Sequence, residues 1–196
     1  MYTPTSTLQN LIIHLQQRGI LKTKHLINAM LTTDRADFVL PTDKLHAYFD
    51  TPLSIGHNAT ISAPHMHAFA LELLKDTLLP THKVLDIGSG SGILCVLFSK
   101  AMNNKGTVYG VEHIHELVEF SLNNIKKNPQ LIGNKLVSII EGDGRIGLKE
   151  QAPYNCIHGC SIRGSTDCLS RPISEWGKDD AATWSSIWRS ENNIGN

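Results

Sequence analysis

Three things are scarce in this chain of 196 residues, and each scarcity removes a class of function. Net charge is absent. The 18 basic and 18 acidic residues cancel, so no basic field draws the chain to a nucleic-acid backbone or an anionic membrane. Long apolar runs are absent too, and none approaches the roughly 18 residues of a membrane-spanning helix. Met1-Tyr2-Thr3-Pro4 has neither the basic stretch nor the apolar core of a secretory leader. Cysteine is sparse and shows no paired pattern. Cys95, Cys156, Cys160 and Cys168 form no C-x-x-C unit, which predicts four reduced thiols in a cytoplasmic protein, with neither a disulfide frame nor a metal site. Charged residues make up only 18% and apolar residues 41%, a balance that favours one buried core over disorder. The length fits one domain. A small soluble α/β enzyme is the class left standing.

Periodicity then divides the chain. Leu8, Leu11, Ile12 and Leu15 recur at helical spacing and Gly19 stops that helix; Leu26, Ile27, Met30 and Leu31 mark a second, from about Thr23 to Leu31. From Arg35 to Ala63 the period vanishes, and Pro41, Pro52, Gly56 and Asn58 punctuate an aromatic-bearing segment. A loop of that length inside a compact domain reads as functional. Ser62 stands where it would cap a helix that starts at Pro64 and runs to Pro80. Strands at 83–87, 107–112, 136–140 and 154–158 then alternate with helices at 93–102 and 115–127. That alternation predicts a parallel sheet with right-handed crossovers.

The turn Asp86-Ile87-Gly88-Ser89-Gly90-Ser91-Gly92 closes one strand and opens a helix. Glycines there let backbone and a helix N-terminus approach a ligand. The spacing is G-x-G-x-G and lacks the third glycine of a dinucleotide fingerprint, since Ile93 follows Gly92. Asp86 adds a negative charge where a pyrophosphate would lie, which suits a ligand carrying a cation. Glu112 ends the next strand, where an acid commonly holds ribose hydroxyls. Asp143, in Gly142-Asp143-Gly144, follows the third strand. Three acids at successive strand ends describe a nucleoside site without a phosphate. S-adenosylmethionine meets that description better than a nicotinamide dinucleotide, so an oxidoreductase is the least favoured reading.

The segment from Tyr48 through Asp50-Thr51-Pro52-Leu53-Ser54-Ile55-Gly56, Ala59-Thr60-Ile61-Ser62-Ala63-Pro64 and His65-Met66-His67 is more specific. It resembles the substrate loop of the protein-L-isoaspartate O-methyltransferase family. Gly19 to Thr23, Met30 to Arg35, Asp86 to Leu94, Glu141 to Arg145 and Ala152-Pro153-Tyr154 are similar to that family as well. The resemblance implies a Rossmann-like class I methyltransferase fold with N-terminal helices. It also implies methyl transfer from S-adenosylmethionine to the free carboxylate of L-isoaspartyl and D-aspartyl residues in damaged proteins. Ser62 is then the residue that orients the substrate carboxylate. Ala59, Thr60, Ile61 and His67 line the same pocket, and Gly88, Ser89, Gly90 and Gly92 join Asp86 around the cofactor. Glu112, with His113 beside it, meets the ribose, and Asp143 and Gly144 face the adenine. His65 and His67, two apart on a helix, point to different faces and are not expected to bind metal. The partners implied are isoaspartyl proteins, met by a monomer in the cytoplasm with no nucleic acid or membrane involved.

The resemblance spans Leu8 to about His158 and stops there, with later strands of the family pattern missing. Residues 1–158 are thus expected to form the methyltransferase domain: helices and substrate loop over 1–80, the cofactor-binding βαβ part over 81–158. Residues 159–196 read as an out-of-frame or disordered tail that holds two of the four cysteines and every tryptophan. Codons permitted for Gly177 to Trp184, read one nucleotide on, spell Arg-Met-Met-Leu-Pro-Leu-Gly, a segment that family members carry near this place. An unpaired sheet edge, a tendency to aggregate and low turnover are expected from such a chain. The competing reading is a remnant that binds S-adenosylmethionine without turnover.

Overall fold

The structure, a computed structural model, describes residues 7–146, 148–160 and 168–172. Helix α1 (Leu8–Gln17) starts under the Thr7 hydroxyl, which accepts from the Asn10 amide, and buries Leu11, Ile12 and Leu15. Gly19 adopts a φ of 67° just past its end. Helix α2 (Lys24–Leu31) turns Leu26, Ala29 and Met30 inward. The amides just before it are held from outside, because Glu72 accepts from the Lys22 and Thr23 amides at 2.6 Å.

The segment that reads as loop has more structure than its sequence pattern conveys. Short 3₁₀ turns cover Arg35–Asp37 and Pro41–His46. Strands β1 (Leu53–Gly56) and β2 (Ala59–Ile61) then pair antiparallel, with Leu53 opposite Ile61. Gly56, His57 and Asn58 all have positive φ and make the hairpin turn. Strands of four and three residues are too short for alternation to show in a sequence window. Helix α3 (Pro64–Leu74) follows and ends well before Pro80. Its N-cap is Ala63, not Ser62, and no side chain of that residue caps it.

Strand β3 (Lys83–Ile87), helix α4 (Ile93–Ala101), strand β4 (Thr107–Glu112), helix α5 (His115–Ile125) and strand β5 (Val137–Glu141) form the expected alternation. A short helix α6 (Pro129–Gly133), unmarked in the sequence pattern, precedes β5. Strand β6 (Cys156–Cys160) returns to the other side of β3, and β7 (Cys168–Pro172) adds an antiparallel edge. The five-stranded order is β5-β4-β3-β6-β7. The edge of β6 expected to stand open is therefore paired, by a strand in a stretch whose sequence shows no strand pattern. Expectations for 161–167 and 173–196, and for the side chains of Cys160 and Cys168, lie outside the described residues.

Buried on both faces, β3 reads as a nearly continuous apolar run. Helix α4 buries every residue from Ile93 to Ser99 between the sheet and the N-terminal helices. Burial of each such Leu, Val or Phe side chain is worth about 1.5–3 kcal/mol. Cys95 and Cys156 are buried free thiols. Because the chain moves from β3 outward through β4 to β5 and then back to β6, the strand order reverses at β3. Ligands of open α/β sheets bind outside the strand ends at such a reversal.

Candidate active site

At that reversal lies the glycine turn. Gly88, Gly90 and Gly92 have φ of 78°, 51° and 82°, a region where any side chain is strained. The turn is sewn to the end of β4: the Gly88 and Ser89 amides donate to the Val111 carbonyl at 2.8 and 3.1 Å. The Gly90 amide donates to Glu112 Oε2 at 3.0 Å. The other oxygen of Glu112 accepts from the His113 and Ile114 amides at 2.8 and 3.1 Å. One buried carboxylate thus joins the turn to the entrance of α5, while the His113 ring stays 71% exposed. The Glu112 carbonyl accepts from Gly142, which draws the end of β5 to the same edge.

Beyond β5, Asp143 is gripped by Arg145, whose Nε lies 2.8 Å from Oδ1 and whose Nη2 lies 2.5 Å from Oδ2. Those hydrogen bonds hold the Asp143 carboxyl below the usual carboxylate range. Gly144 packs so closely on the end of β3 that an added Cβ would collide with the Ile87 side chain. The strand-end residues Glu112, Asp143 and Gly144 are therefore gathered around the glycine turn, as their spacing in sequence implies.

Asp86 is placed differently from the sequence expectation. It is 1% exposed, beneath the turn. Its Oδ1 lies 2.7 Å from His158 Nδ1, and its Oδ2 accepts from Cys95 Sγ at 3.3 Å. Both oxygens face protein, so the charge read as a partner for a ligand cation is spent inside the core. Burial, aided by the Asp86 charge, pushes the Cys95 thiol well above its ordinary range. The Phe98 ring packs edge-on against His158 at 5.8 Å.

The hairpin lies over the turn. Ile55 of β1 is buried, and its Cδ1 is 3.4 Å from where a Gly90 Cβ would stand. Within β2, Ile61 is buried, Ala59 half-buried and Thr60 exposed. Half-buried Ser62 sits at the corner between β2 and α3. His67 lies one turn along α3 beside a small cavity of about 20 Å³, against Arg35, Pro64 and Ile93. Burial and the Arg35 charge hold its ring neutral, well below the ordinary histidine value. His65 faces another way, toward Asp50, and its side chain is 40% exposed. Among the described residues no group of His, Cys, Asp and Glu is arranged to hold a metal ion.

Sequence reasoning missed Asp50, Arg35, Ile55 and His158. Asp50 and Arg35 stand in an aperiodic stretch, and only folding shows that they are buried.

Similarity to known proteins bears on the same residues. Over residues 6–164 the chain matches the family model described as Protein-L-isoaspartate(D-aspartate) O-methyltransferase (PCMT). It is 42% identical over 175 residues to the protein-L-isoaspartate O-methyltransferase of Caenorhabditis elegans, spanning 88% of this chain and 76% of that one. To protein-L-isoaspartate O-methyltransferase 1 of Arabidopsis thaliana it is 43% identical over 161 residues, or 80% and 69% of the two chains. A crystal structure of a Plasmodium falciparum protein described as a protein-L-isoaspartate O-methyltransferase, in complex with S-adenosyl-L-homocysteine, matches with a TM-score of 0.70. That match is 36% identical and covers 78% of this chain and 72% of the other. No described helix is long and apolar enough to cross a membrane. With a glycine turn at the sheet's reversal, a hairpin laid over it and a family match through both, the chain belongs to the protein-L-isoaspartate(D-aspartate) O-methyltransferase family.

Proposed function

We propose that this chain transfers a methyl group from S-adenosylmethionine to the free carboxylate of L-isoaspartyl and D-aspartyl residues in damaged proteins. The observation that carries this reading is the meeting of the glycine turn with the strand ends, Gly90 bonded to Glu112, Glu112 to Gly142 beside Asp143, and Gly144 against Ile87, with Ile55 of the hairpin over Gly90. These residues fit the cofactor. Left-handed glycines let backbone approach it, and Glu112, fixed by the Gly90, His113 and Ile114 amides, keeps lone-pair capacity for a ribose hydroxyl. When bound, S-adenosylmethionine supplies an electrophilic methyl on a cationic sulfur.

The chain's own residues then have little covalent work to do. An isoaspartyl carboxyl has a pKa of about 3.5–4 and is ionised at pH 7, so no general base is required. What the protein must supply is alignment within about 3–3.5 Å and exclusion of water. The β1–β2 hairpin is placed to exclude water, and Ser62, at its exit, is placed to donate a hydrogen bond to the substrate carboxylate. Ala59, Thr60, Ile61 and His67 form the wall on that side. Ser89 and His113 flank the cofactor on the other, and Asp86 supports it from beneath by fixing the strand end. Residues 1–158 make up this catalytic unit, with 159–196 as the segment where the family pattern gives out; the family match reaches residue 164 and β6 reaches Cys160, a few residues past that boundary. The reading places a monomer in the cytoplasm, with isoaspartyl proteins as its partners and no nucleic acid or membrane in the reaction.

Methyl transfer to an isoaspartyl peptide, set against its normal aspartyl twin, tests the proposal. Incorporation into the first alone is expected. Binding of S-adenosylhomocysteine with transfer to neither peptide would replace the enzyme by a binding remnant.

A further inference from the structure

Helix α3 starts without a cap of its own. Pro64 occupies its first turn, Ala63 offers no side-chain acceptor, and the next amide donor is that of His65. That donor is met by Asp50, fifteen positions earlier, whose Oδ1 accepts from the His65 amide at 2.9 Å and lies 2.8 Å from His65 Nδ1. Asp50 Oδ2 also faces Arg18 Nη1, just beyond α1, at 3.4 Å. The Asp50 side chain is only 4% exposed, so these contacts form in a setting that strengthens them. The adjacent residue is held as well, since the Thr51 carbonyl accepts from Nη2 of buried Arg35 at 3.3 Å. The Asp50 charge partly offsets the burial that draws Arg35 down to about 10.

Residues 50 and 51 lead directly into β1, and His65 follows β2 by four positions. The hairpin and its exit are therefore closed on themselves at the base. The Leu53–Ile61 pairing forms one tie and Asp50–His65 the other, with Ser62 between them.

We propose that Asp50 is a positioning residue for methyl transfer: its carboxylate, by gripping the first turn of α3, sets where Ser62 and the hairpin stand above the glycine turn. The proposal rests on the function argued above. Asp50 touches neither reacting group, and its effect passes through the backbone at residues 62–65. A misplacement of about 1 Å at a reacting centre costs roughly 100-fold.

Three chains decide it: the parent, Asp50→Ala and Asp50→Asn. The Asn variant keeps an oxygen for the His65 amide and should rescue the Ala variant. In Asp50→Ala, kcat toward an isoaspartyl peptide should fall about 10- to 100-fold, with affinity for S-adenosylhomocysteine within about twofold by calorimetry. Asp50→Asn should recover most of the loss. Amide hydrogen exchange gives a readout independent of turnover: His65 and Met66 should lose protection in Asp50→Ala while amides of β3 and β4 keep theirs. Unchanged kcat in Asp50→Ala overturns the proposal. So does a loss shared equally by kcat, cofactor affinity and sheet protection, which would mark a merely structural role. A parent chain that transfers no methyl defeats the assigned reaction instead, and exchange at His65 still shows whether Asp50 holds the corner.

Discussion

The two sides of the site are held by different kinds of force. On the sheet edge, backbone does the work: three left-handed glycines, amides of residues 88–90 bonded to the end of β4, and one carboxylate, Glu112, that closes the seam. At the hairpin corner the backbone is short of partners, and side chains drawn from distant segments hold it: Asp50, Arg35 and Arg18. An edge built on backbone geometry tolerates change in its surroundings but no side chain at its glycines. A corner built on side-chain ties fails one tie at a time.

The contrast is broken most severely at Gly90. Valine there would place a β-branched residue at a φ of 51°, against Ile55. Calorimetry with S-adenosylhomocysteine should give no measurable heat, and wild-type-like affinity would mean that the cofactor site is elsewhere. Next comes Asp86→Ala, which leaves buried His158 without its partner. It should lower unfolding free energy by about 3 kcal/mol or more in urea titration. If stability holds and only cofactor affinity falls, Asp86 serves the ligand directly and not the core.

Ser62→Ala probes the other side. One lost hydrogen bond to a charged group is worth about 1.5–3 kcal/mol, or roughly 10- to 150-fold in kcat. Cofactor affinity should be unmoved, and a matching loss there would displace Ser62 from the substrate to the cofactor. The smallest effect belongs to His67. Its folded value lies well below 6.5, so the unfolded chain binds a proton first as pH falls. Its contribution is present above pH 6.5 and lost on acidification below it. Per pH unit that loss reaches at most about 1.4 kcal/mol. His67→Gln should flatten stability against pH by up to that slope between neutral and mildly acid pH, and an unchanged slope in denaturant titrations would contradict it.

Much of this could be read in advance, and the reason is local. The runs 83–87 and 107–112, the glycines between them and the acids at the strand ends lie where short-range rules apply, and Glu112, Asp143 and Gly144 meet as their spacing implies. Asp86 obeyed the same pattern and still turned inward, because a strand residue's face depends on what packs behind it, and His158 lies 72 positions away. Ser62 was expected to cap α3, yet the acceptor for that helix comes from Asp50 across the hairpin. Strand β7 carried no pattern to read; it exists as a partner for β6.

The sequence by itself determined the alternation of elements, the family and the glycine turn with its strand-end acids, since periodicity, glycine and strand-end acids act over a few residues. Only the tertiary structure decided that the Asp86 carboxylate faces protein. It also decided what holds the hairpin in place. Those outcomes depend on burial and on contacts between residues far apart in the chain, and a buried charge takes whichever partner the packed core brings within reach.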